Sequence, residues 1–328
     1  MGDRKRPTRN VAEMYRRRFA RMTGASLGVA ALGSSVSARH ESGNPNDRPT
    51  IPESRFPDGT DREEPTLVAH RCFAGYFPEN TLAAMEGACH VGDGASPYTL
   101  PDRVEIDLLP TREETVVVFH DQRLDDLTDE SGVVWLEDDE TVLNAEVLKS
   151  GETIPTLREA LETIPEWMPV QLDIKSPGAT AVTDSGTVTE TSETARYRQF
   201  ISDVFDVVEE FEHDYVWSSF EDDALAAVKE FDPDQPIMYL WADDNERGYE
   251  SARRLDAEAV GPSVGSVDRD LVERAHRDGR EVYVYTVTQW HESERLRRIG
   301  VDHVISDYPR MRDFGRAQGF GTDGSEIS

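Results

Sequence analysis

The chain has 328 residues, of which 65 are acidic and 35 are basic, and its formal net charge is −30 at pH 7. A surface this anionic repels the phosphate backbone of nucleic acids and anionic membranes, so a nucleic-acid partner is not expected. Salt screens such self-repulsion, and the composition therefore favours a protein adapted to high salt. The length fits one α/β barrel of about 250 residues with additional segments.

The first 38 residues are interpreted as an export signal. Arginines at 16–18 and a phenylalanine precede a short apolar run that is rich in Gly and Ser, and small residues follow at 36–38. This order resembles a twin-arginine signal peptide and predicts export to the cell surface or the medium; a basic amphipathic helix is the alternative. The apolar run is too short to span a bilayer and no second one follows, so stable membrane insertion is not expected.

Two further segments are predicted to lie outside the folded domain. Residues 39–64 are polar, rich in Pro and without periodicity, which predicts a flexible linker. Residues 318–328 are expected to form a disordered tail. The folded domain is therefore predicted to span residues 65–317.

From residue 66 onward, short β-rich runs alternate with helical patterns, which is typical of a parallel sheet with crossover helices. We expect an α/β fold of the TIM-like (β/α)8 type. Nine strand candidates exceed the eight required, and no helix fits between the second and third. Either these two form an irregular pair or a weaker later candidate lies outside the barrel. The predicted strands are 66–70, 103–109, 115–120, 169–175, 214–218, 236–241, 258–261, 281–286 and 302–306. The predicted helices are 80–91, 156–163, 193–211, 221–230, 246–256, 267–277 and 290–299.

Two segments are unusually long for barrel loops. Residues 121–154 are strongly acidic and show little periodicity, which predicts a small insertion after the third strand, over the mouth of the barrel. Residues 176–194 are rich in Ser, Thr and Gly and predict a mobile loop. Cys72 and Cys89 are too few for a disulfide scaffold. Two free buried thiols are expected, and a single bridge stays open in an exported protein.

Chemically active side chains occur at the ends of four predicted strands. The C-terminal ends of barrel strands build the active site of this fold, whereas polar groups buried in mid-strand cost stability. Side chains alternate between the faces of a strand, so residues two apart share a face. The residues at these ends are His70 and Arg71, then Glu105 and Asp107, then His120, then Asp173 and Lys175.

These seven residues together point to displacement at phosphorus. Three clustered carboxylates would repel one another without a cation, and oxygen ligands favour one divalent ion, Mg²⁺ or Ca²⁺, over Zn²⁺. An arginine and a lysine suit phosphate oxygens, and two histidines can divide general-acid and general-base work. Each residue alone also fits an ordinary structural role, such as a solvated strand edge or a hydrogen-bonded histidine. Their joint occurrence at successive strand ends favours a functional site.

Six ordered blocks of the sequence resemble the glycerophosphodiester phosphodiesterase family. The similarity covers residues 66–315, which is essentially the whole predicted domain. With its acidic composition and N-terminal signal, the chain resembles an exported haloarchaeal-type member of this family. The blocks are VAHRCFAGYFPENTLAA (68–84), VEIDLLPTREETVVVFHD (104–121), IPTLREAL (154–161), VQLDIK (170–175), WSSF (217–220) and GVDHVISDYP (300–309).

The resemblance implies metal-dependent hydrolysis of a small glycerophosphodiester to glycerol 3-phosphate and an alcohol. It also implies that Asn80 organises its loop and begins the following helix as the N-cap. The remaining implied roles are metal ligation by Glu105, Asp107 and Asp173, acid–base catalysis by His70 and His120, and phosphate binding by Arg71 and Lys175.

Three residues depart from the family pattern around the substrate. Cys72 stands where the family has Gly, and its Cβ restricts the backbone. Asp173 stands where Glu is common, which shortens that ligand by one methylene. Tyr285 stands where the family often has Trp, in the region that contacts the glycerol moiety.

Two other functions compete with this interpretation. The first is a lipid phosphodiesterase on the same barrel, such as a lysophospholipase D or a phosphatidylinositol-specific phospholipase C. An apolar rim at the mouth would favour a lipid, whereas the acidic insertion favours a small soluble substrate. Related phospholipase C sites generally lack this set of three carboxylates. The second is a non-catalytic exported protein that binds phosphodiesters. The sequence leaves the oligomeric state open.

Overall fold

A computed structural model of the chain describes residues 64–90, 100–178, 180–182, 188–190 and 192–311. The predicted signal peptide (1–38), the linker up to residue 63 and the tail (318–328) lie outside these residues. Across the described part of the chain, none of the helices combines the length and the hydropathy that a membrane crossing requires.

Strands and helices alternate along most of the described chain. The strands are β1 (Thr66–Ala69), β2 (Arg103–Pro110), β3 (Val116–Val118), β4 (Val170–Ile174), β5 (Thr180–Val182), β6 (Val188–Glu190), β7 (Tyr215–Ser219), β8 (Ile237–Trp241), β9 (Ala259–Pro262), β10 (Glu281–Val287) and β11 (His303–Ser306). The α-helices are α1 (Leu82–His90), α2 (Asp139–Leu143), α3 (Leu157–Thr163), α4 (Glu193–Val208), α5 (Asp222–Phe231), α6 (Asn245–Arg254), α7 (Arg269–Arg277) and α8 (Trp290–Ile299). Two short 3₁₀ helices are formed by His70–Cys72 and Val134–Leu136.

Eight parallel strands close into a barrel, which confirms the predicted fold. Around the barrel the order is β1, β11, β10, β9, β8, β7, β4 and β2, and pairing of Val68 with Arg103 joins β1 to β2. All seven predicted helices are present, and each lies between two successive strands of the barrel. The match follows from the strong periodicity of these segments, because each helix buries one apolar face against the outside of the barrel.

The surplus strand candidate is the third in chain order, residues 115–120, which pairs with the second. β3 runs antiparallel to β2, with Leu108 opposite Val118 and Pro110 opposite Val116. It therefore folds back on an extension of β2 and takes no place among the eight parallel strands. The later strand candidates all belong to the barrel.

Alternation along β2 divides its side chains between two environments. Val104, Ile106 and Leu108 belong to the large apolar core outside the barrel, which the helices cover. Glu105 and Asp107 have the opposite parity and face the interior of the barrel. A separate apolar cluster fills that interior and consists of Val68, Val216, Met238, Leu240, Ala259, Tyr283 and Ile305. The charged pair is thus held by a strand that is buried on both sides.

The acidic insertion at 121–154 has a core of its own. Leu109, Val117 and Phe119, from β2 and β3 or just beyond, pack against side chains of the insertion such as Val134 and Val142. Asp138 caps helix α2 by accepting a hydrogen bond from the Thr141 amide at 2.9 Å. The acidic residues therefore surround a small packed unit that extends the β2–β3 pair.

The segment 176–194 differs from the predicted loop because it contains a two-stranded hairpin. β5 and β6 pair antiparallel, with residue 180 opposite residue 190 and residue 182 opposite residue 188. Strands of three residues are too short to produce a clear period of two in the sequence.

Candidate active site

Three buried carboxylates converge at the C-terminal mouth of the barrel. Glu105 and Asp107 lie on β2, and the pairing of β2 with β4 sets Asp107 directly opposite Asp173. One oxygen from each of the three residues lies within 4.8 Å of the others. The spacing of two residues on β2 therefore predicts the shared face correctly.

Lys175 lies between two of these carboxylates. Its Nζ is 2.8 Å from Oδ1 of Asp107 and 2.5 Å from Oδ2 of Asp173. Burial lowers the pKa of Lys175, but Asp107 and Asp173 outweigh this effect and raise the pKa above its ordinary value. The lysine is therefore a fixed cation at neutral pH.

Arg71 approaches the carboxylates from the loop after β1. Its backbone N–H donates to Oε2 of Glu105 at 2.6 Å, and its Nε lies 3.6 Å from Oδ2 of Asp107. The guanidinium Nη1 donates to Oε1 of Glu79 at 2.8 Å. Burial lowers the pKa of Arg71, but Asp107 and Glu79 outweigh it and raise that pKa.

The charges of the carboxylate cluster suit a divalent cation. Burial raises the pKa of Glu105, and the neighbouring Asp107 and Asp173 raise it further. Burial also opposes ionisation of Asp107, but Lys175, His120 and Arg71 outweigh it and hold the pKa of Asp107 well below its usual range. Three carboxylate oxygens within 4.8 Å of one another are suitable ligands for a hard ion such as Mg²⁺ or Ca²⁺.

Each candidate histidine is held at Nδ1 by a carboxylate. His70 Nδ1 lies 2.6 Å from Oδ1 of Asp307, and His120 Nδ1 lies 2.6 Å from Oδ1 of Asp121. An ionised carboxylate only accepts hydrogen bonds, so Nδ1 carries the proton in both rings and donates it. Both imidazoles line the same cavity, and Nε2 of each ring is the nitrogen left for a ligand.

His120 reaches the site by a different route from the one predicted. It does not follow a barrel strand, since it comes two residues after the antiparallel β3. The amide of Phe119 donates to the Asp107 carbonyl at 3.0 Å, which brings His120 down to the level of the carboxylates. The expected location is confirmed, but the reason given for it, a parallel strand end, was wrong.

Asn80 does not begin helix α1, contrary to the expectation for an N-cap. The hydroxyl of Thr81 accepts from the Ala84 amide at 3.2 Å and occupies that role. Asn80 has a left-handed backbone (φ 59°), and its Nδ2 donates to Oδ2 of Asp107 at 2.7 Å. Its side chain therefore orients a carboxylate of the cluster.

The loop that carries Arg71 is left-handed over three successive residues. The φ angles are 48° at Arg71, 58° at Cys72 and 69° at Phe73. The Gly-to-Cys departure at position 72 therefore falls where glycine is favoured. Cys72 and Cys89 are both free and buried, as expected. Burial raises the pKa of the Cys89 thiol to about 12 and that of Cys72 well above its ordinary value.

The cavity at this mouth has a volume of about 130 Å³ and a mixed lining. The ionisable site residues in the lining are His70, Arg71, Glu105, His120, Asp173 and Lys175. The other lining residues are Gln171, Phe220, Leu240, Tyr285, Thr286 and Ile305. The rings of Phe220 and Tyr285 meet edge to face with centroids 5.6 Å apart. A charged group and an apolar group can therefore bind side by side.

Comparison with known proteins agrees with this geometry. Residues 70–311 match the model of the Glycerophosphoryl diester phosphodiesterase family. The chain belongs to this family. It is accordingly a phosphoric diester hydrolase.

The chain is also similar to individual bacterial proteins of the glycerophosphoryl diester phosphodiesterase family. The chain is 29% identical over 253 residues to a glycerophosphodiester phosphodiesterase of Caldanaerobacter subterraneus, covering 74% of this chain and 94% of that one. It is 26% identical over 259 residues to one of Bacillus altitudinis, with the same coverages. A phosphodiesterase of Oleispira antarctica, solved with its product sn-glycerol-3-phosphate, is similar with a TM-score of 0.64 and 25% identity, covering 76% of this chain and 96% of that one.

All seven predicted site residues of this family member lie together at the mouth, but three of their supporting residues were missed. Asp307 orients His70 from the loop after β11. Ser218 on β7 donates to Oδ1 of Asp173 at 3.1 Å and accepts from Nε2 of Gln171 at 3.0 Å. A polar residue after the last predicted strand was the available signal for Asp307; the Gln171–Ser218 contact has no local signal.

Proposed function

We propose that the protein hydrolyses small glycerophosphodiesters to glycerol 3-phosphate and an alcohol, with a divalent cation and two catalytic histidines. One observation carries this proposal. Three buried carboxylates meet within 4.8 Å beside two histidines, and each imidazole is fixed at Nδ1 by a carboxylate. The Oleispira antarctica phosphodiesterase, whose solved structure holds sn-glycerol-3-phosphate, supports the choice of product.

The cation belongs on Glu105, Asp107 and Asp173. When bound, Mg²⁺ or Ca²⁺ would neutralise these carboxylates and polarise the phosphorus–oxygen bonds of the substrate. Arg71 and Lys175 border the same space and supply positive charge for the non-bridging oxygens, the arginine as a planar fork and the lysine as a point charge.

The two histidines divide the proton transfers of hydrolysis. One imidazole accepts a proton from the attacking water at Nε2 as the water oxygen bonds to phosphorus. The other, protonated at Nε2, gives its proton to the departing alkoxide as the phosphorus–oxygen bond breaks. Asp307 and Asp121 keep Nδ1 protonated in both rings, so that Nε2 is the reactive atom throughout.

A metal-dependence and substrate panel at high salt tests the proposal. The protein is freed of metal and assayed on glycerophosphoglycerol with Mg²⁺, with Ca²⁺ and with EDTA, with both products quantified. We expect turnover only with a divalent ion, and a loss of several orders of magnitude in His70→Ala and in His120→Ala. Full activity in EDTA would rule out the metal, and tight product binding without turnover would indicate a non-catalytic binding protein.

One observation favours a second candidate, a lysophospholipid diesterase. Four exposed aromatic side chains occupy loops or a helix start that follow the C-terminal ends of barrel strands. They are Tyr76 (52% exposed), Phe220 (41%), Trp290 (42%) and Tyr308 (39%). The cavity itself is too small for an acyl chain, so a lipid chain would lie along this rim. Assaying choline diesters with and without an acyl chain, below the micellar concentration, separates the candidates.

We also propose that the protein is exported through the twin-arginine route and is adapted to high salt. The arginine cluster at 16–18 and the net charge of −30 support this. Expression in a host with twin-arginine export tests the predicted export signal. A double substitution of Arg16 and Arg17 by Lys should retain the unprocessed chain inside the cell, and equal secretion of the variant would argue against this route.

A further inference from the structure

Four neighbouring positions on β2 and β4 point into the barrel beneath the mouth. The pairing of these strands sets Glu105 beside Gln171, and it sets Asp107 beside Asp173. Side chains two apart on a strand share a face, so all four enter the interior. Three of them are the carboxylates whose oxygens lie within 4.8 Å of one another. The fourth, Gln171, is a carboxamide with the same side-chain length as Glu105.

The carboxamide oxygen of Gln171 is buried without a hydrogen-bond partner among the described residues. Buried polar atoms are nearly always paired, because an unpaired one has lost its hydrogen bonds to water. Gln171 is only 2% exposed, and it lines the same cavity as Glu105 and Asp173. Its unpaired oxygen therefore marks a position where a ligand completes the site.

Two consecutive hydrogen bonds determine which end of the carboxamide is free. An ionised carboxylate only accepts, so the Ser218 hydroxyl donates its one proton to Oδ1 of Asp173 at 3.1 Å. The Ser218 oxygen must then accept from Gln171, and the atom 3.0 Å away is the Nε2 amide. Oε1 of Gln171 is consequently the free atom, and its amide group is linked through one serine to a carboxylate of the cluster.

A free carboxamide oxygen in this position suits a cation better than the substrate's phosphate. Phosphate oxygens are acceptors, as Oε1 is, and cannot pair with it. Ca²⁺ takes about six to eight oxygen ligands, Gln carbonyls among them, whereas Mg²⁺ keeps several of its waters. A neutral oxygen also adds a ligand without adding a further buried negative charge to the carboxylates.

We propose that Oε1 of Gln171 is a fourth protein ligand of the divalent cation, and that this extra oxygen favours Ca²⁺ over Mg²⁺. Ser218 is the positioning residue, since it holds the amide end of Gln171 and leaves the oxygen for the ion. The inference rests on the proposed function for the presence of a cation. It adds a residue to the three carboxylates that the sequence predicts as ligands.

Calorimetric titration of the full chain, freed of metal and kept in high salt, tests the ligand without requiring turnover. The wild type, Gln171→Met and Gln171→Glu are each titrated with Ca²⁺ and with Mg²⁺. Methionine keeps the length of the side chain and loses the oxygen. It should weaken Ca²⁺ by roughly tenfold or more and Mg²⁺ by less. Glutamate keeps an oxygen at the same length and should bind Ca²⁺ at least as tightly as the wild type.

Terbium luminescence distinguishes a direct ligand from a residue that only positions Asp173. Tb³⁺ is a hard cation that replaces Ca²⁺, and its lifetimes in H₂O and D₂O report how many waters it binds. Since water takes the place of a lost ligand, Gln171→Met should hold Tb³⁺ with one more water than the wild type. Asp107→Asn removes a carboxylate of the site and measures the ions held by surface acids, which are subtracted.

The matched control is Gln235→Met. Gln235 is also buried, but its Oε1 already accepts from Nε1 of Trp217 at 3.0 Å. This variant should lose thermal stability and keep the wild-type Ca²⁺ affinity and water count.

The outcomes separate this inference from the proposed function. An unchanged water count in Gln171→Met would show that Gln171 acts only through Ser218, and it would overturn the inference even if affinity falls. Equal losses for Ca²⁺ and Mg²⁺ would overturn the preference for Ca²⁺. A wild type that binds no ion would refute the metal of the proposed function as well, whereas equal ion binding by the wild type and Gln171→Met would refute the inference alone.

Discussion

His70 donates its Nδ1 proton to Asp307, whose Oδ1 lies 2.6 Å away although the two residues are 237 positions apart in the chain. The parallel pairing of β1 with β11 produces this contact, because both strands end at the same level of the barrel. The carboxylate holds the ring orientation and the tautomer that leaves Nε2 for the substrate. His70 therefore depends on a residue that directly follows the last strand of the fold.

Asp307→Asn should lower kcat by about 10²- to 10⁴-fold, since an amide no longer enforces the Nδ1-protonated tautomer. Steady-state kinetics on a glycerophosphodiester measures the loss. Binding of glycerol 3-phosphate should change little, because Asp307 lies behind the imidazole.

The control for this variant lies on the same strand segment. Asp302, just before β11, forms the corresponding pair with His276 Nε2 at 2.8 Å, at the N-terminal end of the strand. Asp302→Asn should lower thermal stability without a comparable fall in kcat. A kcat loss of similar size in both variants would indicate general damage to the barrel and no special role for Asp307.

The effect of Glu105→Gln on thermal stability should change sign between the cation-free and the cation-bound protein. With EDTA the variant should melt above the wild type, because burial and the neighbouring Asp107 and Asp173 disfavour the charged form of Glu105 in the folded protein. With saturating Mg²⁺ or Ca²⁺ the wild type should melt higher, because it binds the ion more tightly. Calorimetric titration of the ion gives the independent readout. The same substitution at Glu281, at the other end of the barrel, should show no such reversal; a stability order that is the same with and without the ion would contradict metal binding here.

Cys72→Gly should be more stable than Cys72→Ala by about 1 kcal/mol, since only glycine adopts φ near 58° without a Cβ penalty. Both variants lose the same buried thiol, so their difference isolates the backbone. Cys89 in helix α1 provides the opposite case. There Ala should exceed Gly by about 1 kcal/mol. Chemical denaturation of the four proteins measures both differences, and the same order at both positions would contradict the assignment of backbone strain to residue 72.

Asp203→Asn should stabilise the protein above pH 6 and not at pH 4. Burial raises the pKa of Asp203 to about 6, so the folded state disfavours its charged form. As pH rises from about 4 to 6, the unfolded chain ionises this group more readily than the folded one and stability is lost. Denaturation at pH 4, 6 and 8 checks the trend. The control is the same substitution at Asp206, three residues later on helix α4. An equal gain at all three pH values would contradict the shift.

The melting temperature should rise substantially as KCl increases from about 0.1 M to 2 M, because salt screens repulsion in a chain of net charge −30. Calorimetry at constant pH measures it. An equally concentrated neutral co-solute such as sucrose separates screening from general exclusion effects. If sucrose raises the melting temperature as much as KCl does, charge screening is not the cause.

Local periodicity by itself determined the alternating helices and strands, the barrel class and the shared face of Glu105 and Asp107. These features follow from patterns that repeat every two or 3.6 residues, which are complete within a short stretch of chain. The other site residues were predicted from the blocks that resemble the family. These blocks can also be read from the sequence alone, because each is a short continuous stretch of chain.

Only the tertiary structure decided how those residues are supported. His120 follows the antiparallel strand β3, Asn80 orients Asp107 in place of capping its helix, and Asp307 fixes His70 from the loop after the last strand. The apolar wall of Phe220 and Tyr285 likewise joins loops and strands from distant parts of the chain. Strand pairing and barrel closure create these contacts, and no local period records which distant residues will meet when eight strands close.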